Sequence, residues 1–222
     1  MRALFNRAAA DYDSANAILS LGTGQRYRRR ALQVAGLCAG MQVLDVATGT
    51  GLTAREALHL TGPAGAVIGV DVSEAMLAQA RRVPGLHCVQ ARAEALPVAS
   101  DRCDFVTMGY ALRHVPDLAA YFQECHRVLR PGGTILILEI IRPPNRLAMA
   151  LAAFYMRVVV PALCSLRGRR TARTLLEYYW ATIEACVPPP VVTGALAGAG
   201  FTDVSVRTEL GLFALYVGRK PR

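Results

Sequence analysis

Val43-Leu44-Asp45-Val46-Ala47-Thr48-Gly49-Thr50-Gly51 decides the fold. Its apolar start reads as a buried strand. The two glycines read as a tight turn that brings bare backbone N–H groups close to a ligand before a helix begins. Outward from this loop, short β-rich runs alternate with amphipathic stretches, as in a parallel sheet with crossover helices. Strands are predicted at Gln42–Val46, Ala66–Asp71, Leu86–Gln90, Asp104–Met108 and Thr134–Glu139, with helices at Leu52–Leu60, Ser73–Arg82 and Asp117–Leu129. Ser73 is placed as an N-cap and Asp117 in a first turn, where a carboxylate suits the helix dipole. Pro131-Gly132-Gly133 closes the last of these helices and turns into the fifth strand. Upstream, residues 12–39 read as helical, ending at Gly40.

After Ile141 the alternation stops, and Arg142–Pro190 reads as helical, apolar and flanked by arginines. A helix at Val191–Ala199 and β runs at Asp203–Thr208 and Leu212–Gly218 complete the chain. The short gap between those runs forces an antiparallel hairpin, because a parallel pair needs a long crossover. The expected fold is therefore α/β: a Rossmann-like, seven-stranded sheet with an antiparallel final strand and a helical lid insertion. One domain is divided into an N-terminal helical cap (1–40), a ligand-binding core (41–141), the lid (142–190) and a C-terminal helix with hairpin (191–222).

Composition agrees with a folded chain: 53% of the 222 residues are hydrophobic and 18% charged. Met1–Ala10 lacks the apolar run of a secretory leader. The six cysteines, Cys38, Cys88, Cys103, Cys125, Cys164 and Cys186, form no CxxC pair, so no metal is expected and the thiols read as reduced and buried in a cytoplasmic protein. The net charge of +9 comes almost wholly from arginine. Coding bias accounts for it in one reading, and attraction to an anionic surface in the other. No nucleic-acid-binding module is visible, so no nucleic acid is expected as partner.

The glycine loop alone admits two cofactors. Gly49, Gly51 and Ala54 also satisfy a dinucleotide fingerprint, and Asp71 ends the next strand where a carboxylate takes both ribose hydroxyls. Three features favour S-adenosylmethionine over a nicotinamide. Asp45 lies inside the strand before the loop, suited to the methionine ammonium or to holding the loop, where a pyrophosphate has little use for an anion. The sheet ends in a hairpin, and Arg142–Pro190 looks like a lid and not a second catalytic domain.

The chain resembles the ubiquinone/menaquinone biosynthesis C-methyltransferases, the UbiE type of class I S-adenosylmethionine-dependent methyltransferase. The resemblance is carried by Phe5-Asn6-Arg7, Tyr12-Asp13, Asn16, Leu19-Ser20-Leu21-Gly22 and Tyr27-Arg28-Arg29, then by the glycine loop and Ala93-Glu94-Ala95-Leu96-Pro97. Leu112-Arg113-His114-Val115-Pro116-Asp117, Arg127-Val128-Leu129-Arg130-Pro131-Gly132-Gly133, Leu138-Glu139 and Gly200-Phe201 extend it over nearly the whole chain. It implies that Thr50 and Asp71 bind the cofactor, with Arg92, Ala93 and Glu94 beside the adenine and Gly109 at the mouth of the fourth strand. Met76 is a candidate apolar lid on the adenine. Asp45, Ala47, Thr48, Gly49, Gly51 and Val72 complete the cofactor set. The chain departs from the family pattern at Arg92, where Asp or Asn is usual, at Leu52, at His114 in place of Asn, and at Gly211-Leu212-Phe213. Arg has donors only, so Arg92 cannot accept from an adenine amino group.

Methylation of a quinol ring carbon needs an electron-rich ring and removal of a phenolic proton. Arg113 stays protonated and is expected to stabilise a developing phenolate. His114 is the candidate base, against the alternative that it only caps the Val115–Pro116 turn. Tyr12, Asp13, Tyr110 and Tyr178 are placed on the substrate pocket, and His59, His87 and His126 read as structural. The expected acceptor is a lipophilic, quinol-type small molecule. The alternatives are a phospholipid amine, a natural-product phenol or amine, a non-catalytic cofactor-binding protein, and a nicotinamide-dependent oxidoreductase. Leu147–Leu166 is apolar over twenty residues, but Arg157 and Pro161 inside it argue against a span. A lid with peripheral contact to the inner face of the membrane through 142–173 is expected instead, and a homodimer stands among the partner expectations.

Overall fold

The computed structural model describes residues 12–143, 145–162 and 172–222. Phe5, Asn6, Arg7, Cys164, Arg167, Arg169, Arg170 and the side chain of Arg173 lie outside the described residues. The elements run α1 (Tyr12–Leu19), α2 (Gly24–Val34), β1 (Gln42–Val46), α3 (Leu52–Thr61), β2 (Ala66–Asp71), α4 (Glu74–Ala80), β3 (Leu86–Gln90) and β4 (Cys103–Gly109). A 3-10 turn (Leu112–His114), α5 (Leu118–Val128) and β5 (Leu129–Ile140) follow. Then come α6 (Arg146–Phe154) with a π-helical turn (Tyr155–Val159), α7 (Ala172–Glu184), α8 (Pro189–Gly198), β6 (Thr202–Glu209) and β7 (Phe213–Arg219).

One seven-stranded sheet has the order β3-β2-β1-β4-β5-β7-β6. Pairing is parallel from β3 through β5, and β7 runs antiparallel to both β5 and β6. The reversal follows from the turn at Leu210-Gly211, where both residues have positive φ and Leu212 N–H bonds back to the Glu209 carbonyl at 3.1 Å. Strand order reverses between β1 and β4, and a doubly wound sheet opens a crevice at the carboxyl ends of such strands.

Both faces of the sheet are covered, so its central strands are apolar throughout. In β5 the period of two sends Ile135 and Ile137 to a cluster with Tyr121, Phe122 and Cys125 of α5 and Leu196 of α8. Leu136 and Leu138 go to the opposite cluster with Leu32 of α2 and Ala54 and Ala57 of α3. A third cluster joins Ile18 of α1 to Met156, Val160, Tyr179, Trp180 and Ile183, packing cap against lid.

Several boundaries differ from expectation for identifiable reasons. The stretch 12–39 is two helices, because Leu21 and Gly22 take positive φ and Gly22 N–H closes on the Ala17 carbonyl at 2.8 Å, a Schellman ending. The second of these helices stops at Val34, short of Gly40. Gly36 (φ 93°) supplies the left-handed residue there, and Leu37 N–H bonds to the Leu32 carbonyl at 3.0 Å. Asp117 is the N-cap of α5 and not a first-turn residue, accepting from Ala120 N–H at 3.0 Å. Ser73 caps α4. Strand β5 begins at Leu129, with the Pro-Gly-Gly segment absorbed as an irregularity opposite Cys103–Phe105. Cys38 is exposed, against the expectation of buried thiols, because it sits in the loop after α2.

Candidate functional site

The carboxyl end of β1 carries the glycine loop, and its hydrogen bonds sort the residues into two layers. Ala47 has φ 53°, which turns the chain so that alternate residues face opposite ways. Beneath the loop, Asp45 is fully buried and its Oδ2 accepts the Thr48 hydroxyl at 2.6 Å. This bond fits the loop-holding use expected of Asp45 and leaves its Oδ1 without a hydrogen-bond partner among the described residues. Burial pushes its carboxyl up to about 7, against the Thr48 bond and the nearby Arg28 charge. Thr50, also buried, donates to Asp13 and ties the cap helix α1 to the loop. Gly51 (φ 87°) is the N-cap of α3, and a Cβ there would meet Leu86 and Val83 at 3.2 Å.

Asp71 at the end of β2 faces the opening. Its Oδ2 accepts Gly49 N–H at 2.9 Å and its Oδ1 accepts Ser73 N–H at 2.8 Å. Burial raises its pKa, although these backbone bonds oppose the shift. A cavity of about 410 Å³ opens here, and Ala47, Gly49, Asp71, Val72, Met76, Arg92, Ala93, Glu94 and Gly109 all line it. Asp45, Thr48, Thr50 and Gly51 shape the loop from below and are absent from this wall. Arg92 is mostly exposed and pairs with Glu94 at 3.4 Å.

A second cavity of about 420 Å³, mostly apolar, lies between cap, lid and hairpin. Tyr12, Tyr110 and Tyr179 line both cavities and form their shared wall. Tyr110 is held there with φ 62°, a left-handed conformation rare for a bulky side chain, and its N–H bonds to the Leu138 carbonyl at 2.7 Å. Arg113 reaches the second cavity, almost fully buried, with its guanidinium on Glu139 and its Nε donating to the Thr182 hydroxyl at 3.1 Å. Glu139 also accepts Arg113 N–H at 3.1 Å and Ile140 N–H at 2.8 Å.

His114 lines the first cavity. Its Nδ1 lies 3.1 Å from the Tyr178 hydroxyl, and the two rings stack at 5.4 Å. Burial, reinforced by the Arg113 charge, drives its pKa down to about 3, so the imidazole is neutral near pH 7 and holds a proton weakly. Of the four expected substrate-pocket residues, Tyr12 and Tyr110 are on cavity walls, whereas Asp13 binds Thr50 and Tyr178 stacks on His114. Two residues not among those expected from the sequence line the cavities: Tyr179, next to Tyr178, lines both, and Arg28 lines the second. A signal for Arg28 exists: with Ala31 and Leu32 of α2 and the C-cap Ala35 it recurs at helical spacing on the buried face.

The Asp71 carboxylate at the cavity, Gly49 beside it with no side chain to fill the space, and the apolar flanks Val72, Met76 and Ala93 fit a nucleoside with a ribose diol, as in S-adenosylmethionine. A profile described as the ubiE/COQ5 methyltransferase family matches residues 1–220. The ubiquinone/menaquinone biosynthesis C-methyltransferase UbiE of Geobacter sulfurreducens is 34% identical over 228 residues, covering 99% of this chain and 88% of that protein. UbiE of Shewanella sp. (strain W3-18-1) is 32% identical, covering 98% and 89%. Among solved structures, an S-adenosylmethionine-dependent methyltransferase from Aquifex aeolicus superposes with TM-score 0.63 at 18% identity, covering 92% of this chain and 97% of that one. A further S-adenosylmethionine-dependent methyltransferase, from Mesorhizobium loti, gives 0.60 at 22% identity, covering 86% and 96%. The chain belongs to the ubiE/COQ5 methyltransferase family.

Proposed function

We propose that the protein methylates a ring carbon of a lipophilic quinol-type acceptor, with S-adenosylmethionine as the methyl donor. The observation that carries this reading is the pair of cavities meeting at Tyr12, Tyr110 and Tyr179, one built around Asp71 and the other apolar with two arginines. When bound, S-adenosylmethionine supplies an electrophilic methyl group. Asp71, Gly49, Val72, Met76 and Ala93 would hold it. The chain's own part is to orient the acceptor, exclude water with the packed lid, and set the charge around the acceptor oxygens. Positioning of this kind is worth roughly 7–11 kcal/mol in well-held reactions. His114, neutral and tied to Tyr178, accepts or donates one hydrogen bond at the cofactor cavity and does not store a proton near neutrality.

The acceptor's tail has a route. Leu151 and Leu210 line the second cavity and are also among the most exposed apolar side chains. Leu147, Leu151, Phe154 and Val158, spaced four, three and four apart, form one exposed stripe on α6 and its π turn. Exposed Arg142, Arg146 and Arg157 accompany it. Apolar side chains rimmed by cations suit the surface of an anionic bilayer. Among the described residues no helix is long and apolar enough to cross a membrane. Leu151→Glu/Phe154→Glu should weaken sedimentation with anionic phosphatidylglycerol vesicles by at least about tenfold, since each buried apolar side chain contributes roughly 1.5–3 kcal/mol. Unchanged sedimentation removes the membrane part of the reading.

The acceptor is tested with methyl-labelled S-adenosylmethionine and a panel of demethylated quinols, phospholipid amines and simple phenols. Label in a quinol ring carbon is the expected result. Label only on nitrogen or oxygen overturns the reading.

A further inference from the structure

The two arginines of the second cavity differ in one respect that matters chemically. Arg113 is compensated by Glu139, a full carboxylate at contact. Arg28 is 93% buried by its 7% exposure, yet its Nε has no hydrogen-bond partner and no carboxylate is within ion-pair distance of it among the described residues. Its guanidinium carbon lies 5.1 Å from the centroid of the Tyr110 ring, the residue shared by both cavities. Asp45 feels the Arg28 charge without touching it.

The chain makes room for this cation, which no carboxylate pairs with among the described residues. Gly24, one helical turn before it, has no Cβ, and a Cβ there would stand 2.8 Å from Arg28 Nη1. Buried charges are ordinarily paired, because an isolated one forfeits its hydration without compensation. A cation that is buried, accommodated by a glycine, and aimed at a cavity wall is explained by a ligand that brings the missing negative charge. The cation–π contact with Tyr110 stabilises the guanidinium in part but neutralises none of it.

We propose that Arg28 binds the ionised ring oxygen of the acceptor, so that the second cavity selects a phenolate over the phenol and over any cationic amine. The inference rests on the quinol reading and refines it. In this site the acceptor's O–H bond breaks, its electron pair stays on oxygen opposite Arg28, and the proton leaves to solvent. The negative charge then raises electron density at the ring carbons beside that oxygen. Arg113, already satisfied by Glu139 and Thr182, holds lid to sheet and leaves the net charge of the cavity to Arg28.

The test uses the full chain without cofactor and a 4-nitrophenol bearing a short alkyl tail, whose phenolate absorbs in the visible. Wild type is expected to bind the phenolate roughly 10–100-fold more tightly than the phenol, lowering the bound probe's pKa by about one to two units. Arg28→Gln should abolish that preference and Arg28→Lys restore part of it. Because no carboxylate among the described residues is orphaned, Arg28→Gln should melt at or above the wild-type temperature. Equal phenolate preference in wild type and Arg28→Gln overturns the inference, as does equal binding of phenol and phenolate by wild type. A melting drop in Arg28→Gln with no phenolate preference restored by Arg28→Lys marks a structural role and also overturns it. The acceptor reading itself fails only in the labelling assay, when no quinol ring carbon takes up label, so the two failures are distinguishable.

Discussion

Removing Glu139 should be among the costliest single changes in the protein. Its carboxylate is 1% exposed and accepts three donors: the Arg113 guanidinium, Arg113 N–H and Ile140 N–H. Glu139→Ala leaves the guanidinium buried without its counter-charge, and breaking a buried pair from one side costs about 3–5 kcal/mol. In a chain of this size each kcal/mol lowers the melting temperature by roughly 2–4 °C, so a fall of about 6–20 °C is expected. Urea unfolding followed by circular dichroism reads the same loss as a shift of midpoint at constant slope. The double variant Arg113→Met/Glu139→Leu removes both charges and should lose less than the sum of the two single changes, with a coupling of at least about 2 kcal/mol. A loss below about 1 kcal/mol in Glu139→Ala, or strict additivity in the double variant, would refute the claim that Arg113 is held by compensation.

Asp71→Asn keeps the shape of the loop's anchor but loses its charge, and titration calorimetry should show S-adenosylmethionine binding weakened by roughly 10–100-fold, the equivalent of about 1.5–3 kcal/mol; unchanged affinity would remove Asp71 from the cofactor's contacts. Asp45 binds its proton more tightly folded (about 7) than at its ordinary 3.8, so it makes stability fall as pH rises through that window, on the order of 4 kcal/mol in all. Asp45→Asn should therefore gain on wild type from acid to neutral pH, and parallel urea midpoints across the window would rule the shift out. His114 acts in the opposite sense: its folded pKa of about 3 lies below the ordinary 6.5, so its contribution is present above 6.5 and lost as pH falls toward 3. His114→Asn should thus resist acid better than wild type, and a variant as acid-sensitive as wild type contradicts the buried, neutral imidazole.

Strands β1, β2 and β3 were legible in the sequence to the residue because each is a short β-rich run bounded by turn residues. The helical cap was less so. Leu21 takes a left-handed conformation that leucine does not advertise, and Gly36 competes with Gly40 as a stop, a choice made by which apolar residue, Leu37, lands on the core. The location of the site was legible from Gly49 and Asp71, but the layering was not. Whether Thr48 and Thr50 face a ligand or the protein depends on the positive φ of Ala47, which no pattern of polarity announces. In the lid, Tyr178 and Tyr179 are adjacent on one helix, so their faces differ by about 100°: Tyr179 is buried with Ile18 and Met156, while Tyr178 stacks on His114, and no periodicity says which one enters the cavity. Arg28 was hidden by company: α2 carries Arg26, Arg28, Arg29 and Arg30, and composition gives no reason to set one apart.

Ala47 and Tyr110, both with positive φ, follow the two strands flanking the point where the sheet order reverses, and Arg28, without a carboxylate partner among the described residues, sits over Tyr110. Backbone strain of this kind costs roughly 1–3 kcal/mol per residue and persists only where surrounding structure over-determines it. Here that structure is the parallel centre of the sheet, with Ile135 through Leu138 wholly buried between two helical layers. Neither strain nor unpaired charge helps the chain fold, so neither is explained by stability. Both are explained by a wall that must hold one aromatic ring rigid between a donor on one side and an anionic acceptor on the other. Binding an anion at Arg28 replaces hydration the guanidinium has already lost in folding, so the acceptor gains from a desolvation cost that the fold has met in advance.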